Sequence, residues 1–86
     1  MEEIGWAVKQ MRNGARVRRA GWNGKGMWLA LVPGDNWSGQ IGTPPADLPE
    51  DWAGYLPFAA MFTADKKIVP WLCSQTDLLA TDWECV

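Results

Sequence analysis

Met27-Trp-Leu-Ala-Leu-Val32 is an unbroken apolar run of six residues. It has the pattern of a strand covered on both faces. Met27, Leu29 and Leu31 point one way, and Trp28, Ala30 and Val32 the other. Phe58 to Thr63 repeats the pattern, with Phe58, Ala60 and Phe62 opposite Ala59 and Met61. Ala64-Asp65-Lys66 suits a tight turn, and Ile68-Val-Pro-Trp-Leu72 then returns as a partner strand. Pro70 has no N–H to give a ladder, so this strand belongs at an edge or carries a bulge.

The flanks complete the set. Ile4, Ala7, Val8 and Met11 recur at i, i+3, i+4 and i+7, one face of a helix of roughly ten residues. Glu2 and Glu3 lie at its positive end and Lys9 and Arg12 near its negative end. Asn13-Gly14 stops it, Gly14 being the expected left-handed cap. Arg16-Val-Arg-Arg19 reads as a short strand. Ser74-Gln-Thr-Asp77 reads as a capping box, with Ser74 as N-cap, Asp77 reaching back, and a short helix through Ala80. Asp82 to Val86 alternates as a last strand, with Trp83 and Cys85 inward. The expected class is α+β: an N-terminal helix on a roughly five-stranded antiparallel sheet, with a short C-terminal helix, in one domain over 1–86. One helix covers one face of such a sheet, yet two strands are apolar on both faces. A second copy of the chain is the simplest cover for the other face.

Composition sets the outer limits. Eighty-six residues make one small domain with a modest core. No run approaches the roughly 18–20 apolar residues of a membrane span. Met1-Glu2-Glu3 lacks the layout of a secretory signal, so a cytosolic setting is expected. There is no histidine, and Cys73 and Cys85 are far from any metal-ligand spacing, which excludes an ordinary zinc site. The two thiols are expected to stay free. Residues 1–25 hold six Lys or Arg against two acids, net +4, while the remainder holds two lysines against eight acids, net −6. The acidic total, −2, argues against DNA or RNA as a partner, although a local basic patch suits one small anion. Between Pro33 and Pro57 stand five of the six prolines, so regular structure is expected to be poor. Trp37, Trp52 and Tyr55 are expected to pin this loop down. Seven tryptophans exceed what so small a core needs and point to recognition, self-association or both.

Catalysis finds little support. No histidine is present and no nucleophile stands beside a base. Asp82 and Glu84 would share a strand face and repel, as solubilising charge. Binding finds more. Arg19-Ala-Gly-Trp-Asn-Gly-Lys-Gly-Met27 combines a stiff ring with glycines and cations. It reads either as an Asn-Gly hairpin turn beside a core tryptophan, or as a cradle in which Trp22, Asn23 and Lys25 meet a base and a phosphate. Trp71 likewise stands before the donor-rich start of a helix at Ser74, Gln75, Thr76 and Asp77, a setting for an anion or a ribose hydroxyl. Two rings and two donor clusters match a ligand with two flat groups and a pyrophosphate.

These two stretches, Arg19 to Met27 and Ile68 to Leu72 followed by Ser74-Gln-Thr-Asp-Leu-Leu-Ala80 and Asp82-Trp83, closely resemble the second type of phage Thoeris anti-defence sponge. The likeness covers nearly the whole chain except about Asp35 to Tyr55. The resemblance implies a small α+β subunit in a homotetramer, without enzymatic activity or cofactor. It implies capture of cyclic ADP-ribose signals, notably glycocyclic ADP-ribose, in the cytoplasm of the infected bacterium. It also implies cyclic dinucleotides at a separate site in some members. Carried over by motif, Trp22 and Asn23 line the pocket, as do Trp71 and the Ser74–Asp77 turn, with Lys25 as a phosphate partner. Two other readings are a small nucleotide-processing enzyme and an oligomeric structural or protein-binding module.

Overall fold

The computed structural model describes residues 1–22, 26–36 and 54–86. Its centre is the Met27–Val32 run, which forms strand β2 (Trp28–Val32) in the middle of a five-stranded antiparallel sheet. Around it stand β1 (Val17–Arg19), β5 (Phe58–Phe62), β6 (Ile68–Pro70) and β7 (Trp83–Cys85), in the order β6-β5-β2-β1-β7. β2 and β5 pair over five residues, from Trp28 with Phe62 to Val32 with Phe58. β5 and β6 are joined by the expected turn, closed by Lys66 N–H to the Thr63 carbonyl at 3.0 Å. Lys66 takes the left-handed backbone there, at φ +67°. β6 is an edge strand, as Pro70 requires, since it needs no donor on its outer side. Within the long Pro-rich stretch a two-residue ladder also forms, β3 (Asp35–Asn36) with β4 (Gly54–Tyr55). Composition alone gave no sign of it. Trp37 and Trp52 lie outside the described residues.

Helix α1 runs over Ile4–Arg12 and ends in a Schellman motif. Gly14 N–H meets the Met11 carbonyl and Ala15 N–H the Gln10 carbonyl, both at 3.0 Å. Gly14 sits at φ +88°, where a side chain would be strained. The N-terminus has only the Glu3 backbone as cap, with no side-chain bond. α1 buries Ala7 and Met11, with Ile4 partly covered; Val8, expected on the same stripe, is at its exposed margin.

Register sets two sheet faces. Val17, Leu29, Met61, Arg19 and Trp83 share one, through the pairs Val17–Leu29, Leu29–Met61 and Arg19–Trp83. On that face α1, Val17, Leu29, Ala80 and Trp83 form the core. The opposite face presents Trp28, Ala30, Val32, Phe58, Ala60, Phe62 and Ile68. Trp28 and Phe62 stack there at 3.9 Å with planes 6° apart, and the Arg16 guanidinium lies 4.3 Å from the Trp28 ring centre.

Three expectations at the C-terminal end need correction. Cys85 is exposed although its pairing with Val17 sets it on the same sheet face as Trp83, since it ends β7, the outermost strand on that side. Asp82 and Glu84 do not repel one another as free charges; Arg19 pairs with Asp82 and Arg18 with Glu84, each at 2.8 Å. The second helix, α2, spans only Gln75–Leu78, and its capping box is half made. Ser74 Oγ accepts from Asp77 N–H at 3.1 Å, but the Asp77 carboxylate turns away to other partners. Cys73 and Cys85 are both free thiols, as expected.

Candidate ligand-binding site

The two stretches singled out in the sequence meet inside one subunit, around Trp83. This indole is 2 % exposed. Trp22 makes a T-shaped contact with it at 5.4 Å with an interplanar angle of 79°, and Trp71 does the same from the other motif at 5.9 Å and 83°. Perpendicular contacts of this kind suit the ring quadrupoles. Trp22 and Trp71 are each half-buried, so both retain open surface.

Asp77 joins the pieces. Its Oδ1 accepts from Arg19 Nη1 at 2.8 Å and from Trp22 Nε1 at 3.2 Å. Its backbone carbonyl accepts from Trp83 Nε1 at 3.2 Å. Burial pushes the Asp77 carboxyl up, but side-chain hydrogen bonding from Arg19, Trp22 and Ser74 outweighs it, and the carboxyl rests below its ordinary value. Arg19 spans two acids, with Nε on Asp82 Oδ1 at 2.8 Å, and this pairing raises its own value further. Asp82 is lowered by the Arg19 bond, against its own desolvation, with help from Gly21 N–H at 2.8 Å. Glycine gives this close approach: a Cβ at position 21 would sit 2.9 Å from Asp82 Oδ2, so the carboxylate would have to shift. The side chains of Arg19, Asp77 and Asp82 are 18 %, 14 % and 26 % exposed, so this is a largely covered cluster of net charge −1.

A cleft of about 320 Å³ opens beside Trp22, lined also by Arg18, Arg19, Ala20, Gly26, Met27 and Glu84. Trp71 and the Ser74–Thr76 turn are not on its wall. Among the described residues lining the cleft, Arg18 is the cation more readily available to a ligand. Its pair with Glu84 is a surface one, with both side chains more than two-fifths exposed, and such pairs exchange partners at little cost. Ser74, Gln75 and Thr76 are exposed and accessible. The anion site expected at this helix start is weak, however. One turn carries little dipole, Ser74 already takes the Asp77 N–H, and the Asp77 carboxylate stands close by. Hydroxyl and amide contacts suit this turn better than a phosphate. Asn23 and Lys25 lie outside the described residues.

Trp83, Arg19 and Asp82 are the members that residue types alone did not single out as site residues. The signal was there in part: Asp82 and Trp83 belong to the motif, and Arg19 opens the glycine stretch. What could not be read was their pairing across some sixty residues. No group of three or more potential metal ligands gathers among the described residues, and no described helix is long and apolar enough to cross a membrane.

Comparison with known proteins gives the family of the chain. The family model for the Thoeris anti-defense 2-like domain matches residues 3–86. A curated protein of Bacillus phage SP01, Thoeris anti-defense 2, is 40 % identical over 84 residues, covering 96 % of this chain and 92 % of its own length.

Proposed function

The chain belongs to the Thoeris anti-defense 2-like family, and from that premise we propose that it is a phage anti-defence protein that works by sequestration. It binds a cyclic ADP-ribose-type signal, glycocyclic ADP-ribose foremost, and holds it without cleavage, so that the defence effector in the infected cell is not activated. The observation that carries this reading is the gathering of both motif halves around Trp83, with Trp22 and Trp71 half open beside it. A holding protein needs a preformed site with rigid walls, because ordering a loose one subtracts from affinity. Trp22 and Trp71 supply flat surfaces for adenine and ribose. Ser74, Gln75 and Thr76 supply ribose-hydroxyl contacts. Arg18 meets a phosphate, together with Asn23 and Lys25 of the glycine stretch. Cyclic dinucleotides are a second ligand class, at a separate site.

The test is recovery. The protein is mixed with glycocyclic ADP-ribose, titrated by calorimetry, then heat-denatured, and the released ligand is chromatographed. Tight binding and intact ligand are the expected result. Linearised or hydrolysed product would make the protein a nucleotide-processing enzyme instead. No binding by any cyclic ADP-ribose isomer or cyclic dinucleotide would leave an assembly module.

Self-association forms part of the proposal. Trp28, Val32, Phe62 and Ile68, on the opposite sheet face, are not among the residues packed against the core beneath α1. We assign that face to contact between copies of this chain in a homotetramer.

A further inference from the structure

The carboxylate of Asp77 was expected among the groups that touch a ligand. Its bonds face inward instead. Oδ1 receives two donors, the Arg19 guanidinium and the Trp22 indole N–H. The backbone of the same residue is fixed at both ends, its N–H by Ser74 Oγ and its carbonyl by Trp83 Nε1. An indole on its own has two free torsions. Here the Trp22 ring stands perpendicular to Trp83 in a T-shaped contact and its N–H is held by Asp77, and the two contacts together define the ring plane. The turn beneath adds a third restraint, with Trp22 N–H on the Arg19 carbonyl at 3.2 Å. Arg19 in turn is held by Asp82, which Gly21 N–H secures.

We propose that Asp77 is a positioning residue: its carboxylate, charged and oriented by Arg19, latches the Trp22 indole in its binding attitude before any ligand arrives. The proposal rests on the reading that Trp22 walls the site. It deepens that reading by assigning the rigidity to one hydrogen-bonded hub. A wall held from behind recognises its ligand without rearranging. A carboxylate exposed to the ligand would instead repel its phosphates, and Arg19 reduces this by keeping Asp77 paired.

The experiment compares Asp77→Ala and Asp77→Asn with the wild type in the full chain. The Trp22 indole N–H resonance, identified as the cross-peak lost in Trp22→Phe, is followed by 15N-labelled tryptophan NMR without ligand. Its exchange with solvent is slow in the wild type. In Asp77→Ala it moves and exchanges faster. Asp77→Asn keeps an acceptor oxygen and holds the resonance close to its wild-type position. Affinity for glycocyclic ADP-ribose falls by about tenfold or more in Asp77→Ala and largely recovers in Asp77→Asn. An unchanged Trp22 signal in folded Asp77→Ala would overturn the latch. Equal loss of affinity in both variants with the Trp22 signal undisturbed would also overturn it, since Asp77 would then bind ligand directly. If Asp77→Ala does not fold, rapid Trp22 exchange in wild type or an unmoved signal in Arg19→Gln overturns it just as well. A wild type that binds no signal nucleotide would end the functional reading, while the indole resonance would still decide the latch.

Discussion

Gly21 shows how one atom decides a cluster. Its N–H meets Asp82 Oδ2, and the space where a Cβ would go is closed by that same oxygen. Gly21→Ala therefore forces Asp82 to shift while Arg19 still holds its other oxygen. The expected cost is about 1–2 kcal/mol, read from urea unfolding, and it would appear equally in Asp82→Asn if the lost pair is the cause. Acid tests the same cluster. Asp77 and Asp82 both rest below their ordinary values in the folded chain. Their contribution is thus complete above the unfolded carboxyl range near pH 4 and is lost as pH falls through the lowered folded values. The urea midpoint should be level from neutral pH down to about pH 5 and drop steeply below about pH 4. In Asp77→Asn the drop should be shallower; an identical profile would remove Asp77 from the acid response. Cys73 gives a third check at this scale. Burial, and then the nearby Asp77 charge, push its thiol up, so alkylation of Cys73 should remain slow at neutral pH despite its exposure.

The elements divide by how local their signals are. α1, β1, β2, β5, β6 and β7 were all legible, because each is written in periodicity, in a two-faced apolar run or in a glycine stop. Pro70 even marked β6 as the edge. The β3–β4 ladder was not legible: two residues a side carry no period. Nor was the true size of α2. Ser74 signals a helix start correctly, but Asp77 is drawn off by Arg19 and Trp22, and one turn is all that forms. The candidate site was legible as a list of residues and not as an arrangement. Motif matching found Trp22 and Trp71, whereas their meeting on Trp83 depends on β7 pairing with β1, a contact between the two ends of the chain. The cap of α2 carries a prediction of its own. Ser74→Ala removes the acceptor for Asp77 N–H and should cost about 1 kcal/mol. Because α2 is so short, the effect should be local. Amide exchange should quicken at 77–79 and at the Trp22 indole, with little change in β2.

The whole molecule is held by a small core, in which Trp83, Leu29 and Val17 are the largest fully buried side chains. Trp83→Ala should therefore destabilise by about 3–5 kcal/mol, enough to unfold a domain of this size or bring it close to unfolding. The opposite sheet face tells the other half. Trp28 and Phe62 stack on it, Arg16 lies over the Trp28 ring, and Ile68 is 64 % exposed. Val69, Leu72 and Leu79 are exposed as well, but Val69 pairs with Met61 and so belongs to the other face. Exposed apolar side chains on a sheet face mark an interaction surface. A second copy can cover it with the same residues, since a twofold contact is self-complementary. Sedimentation at low micromolar concentration should then show an assembly larger than one chain. Ile68→Glu is the sharpest perturbation of it. The side chain is already exposed, so the single subunit should lose no more than about 0.5 kcal/mol, whereas a charge set between two apolar sheets is costly to cover. The variant should keep its melting behaviour at high dilution and sediment as a smaller species than the wild type. If the wild type itself runs as a clean monomer, the apolar face belongs to some other contact, and the ligand site is complete within one chain.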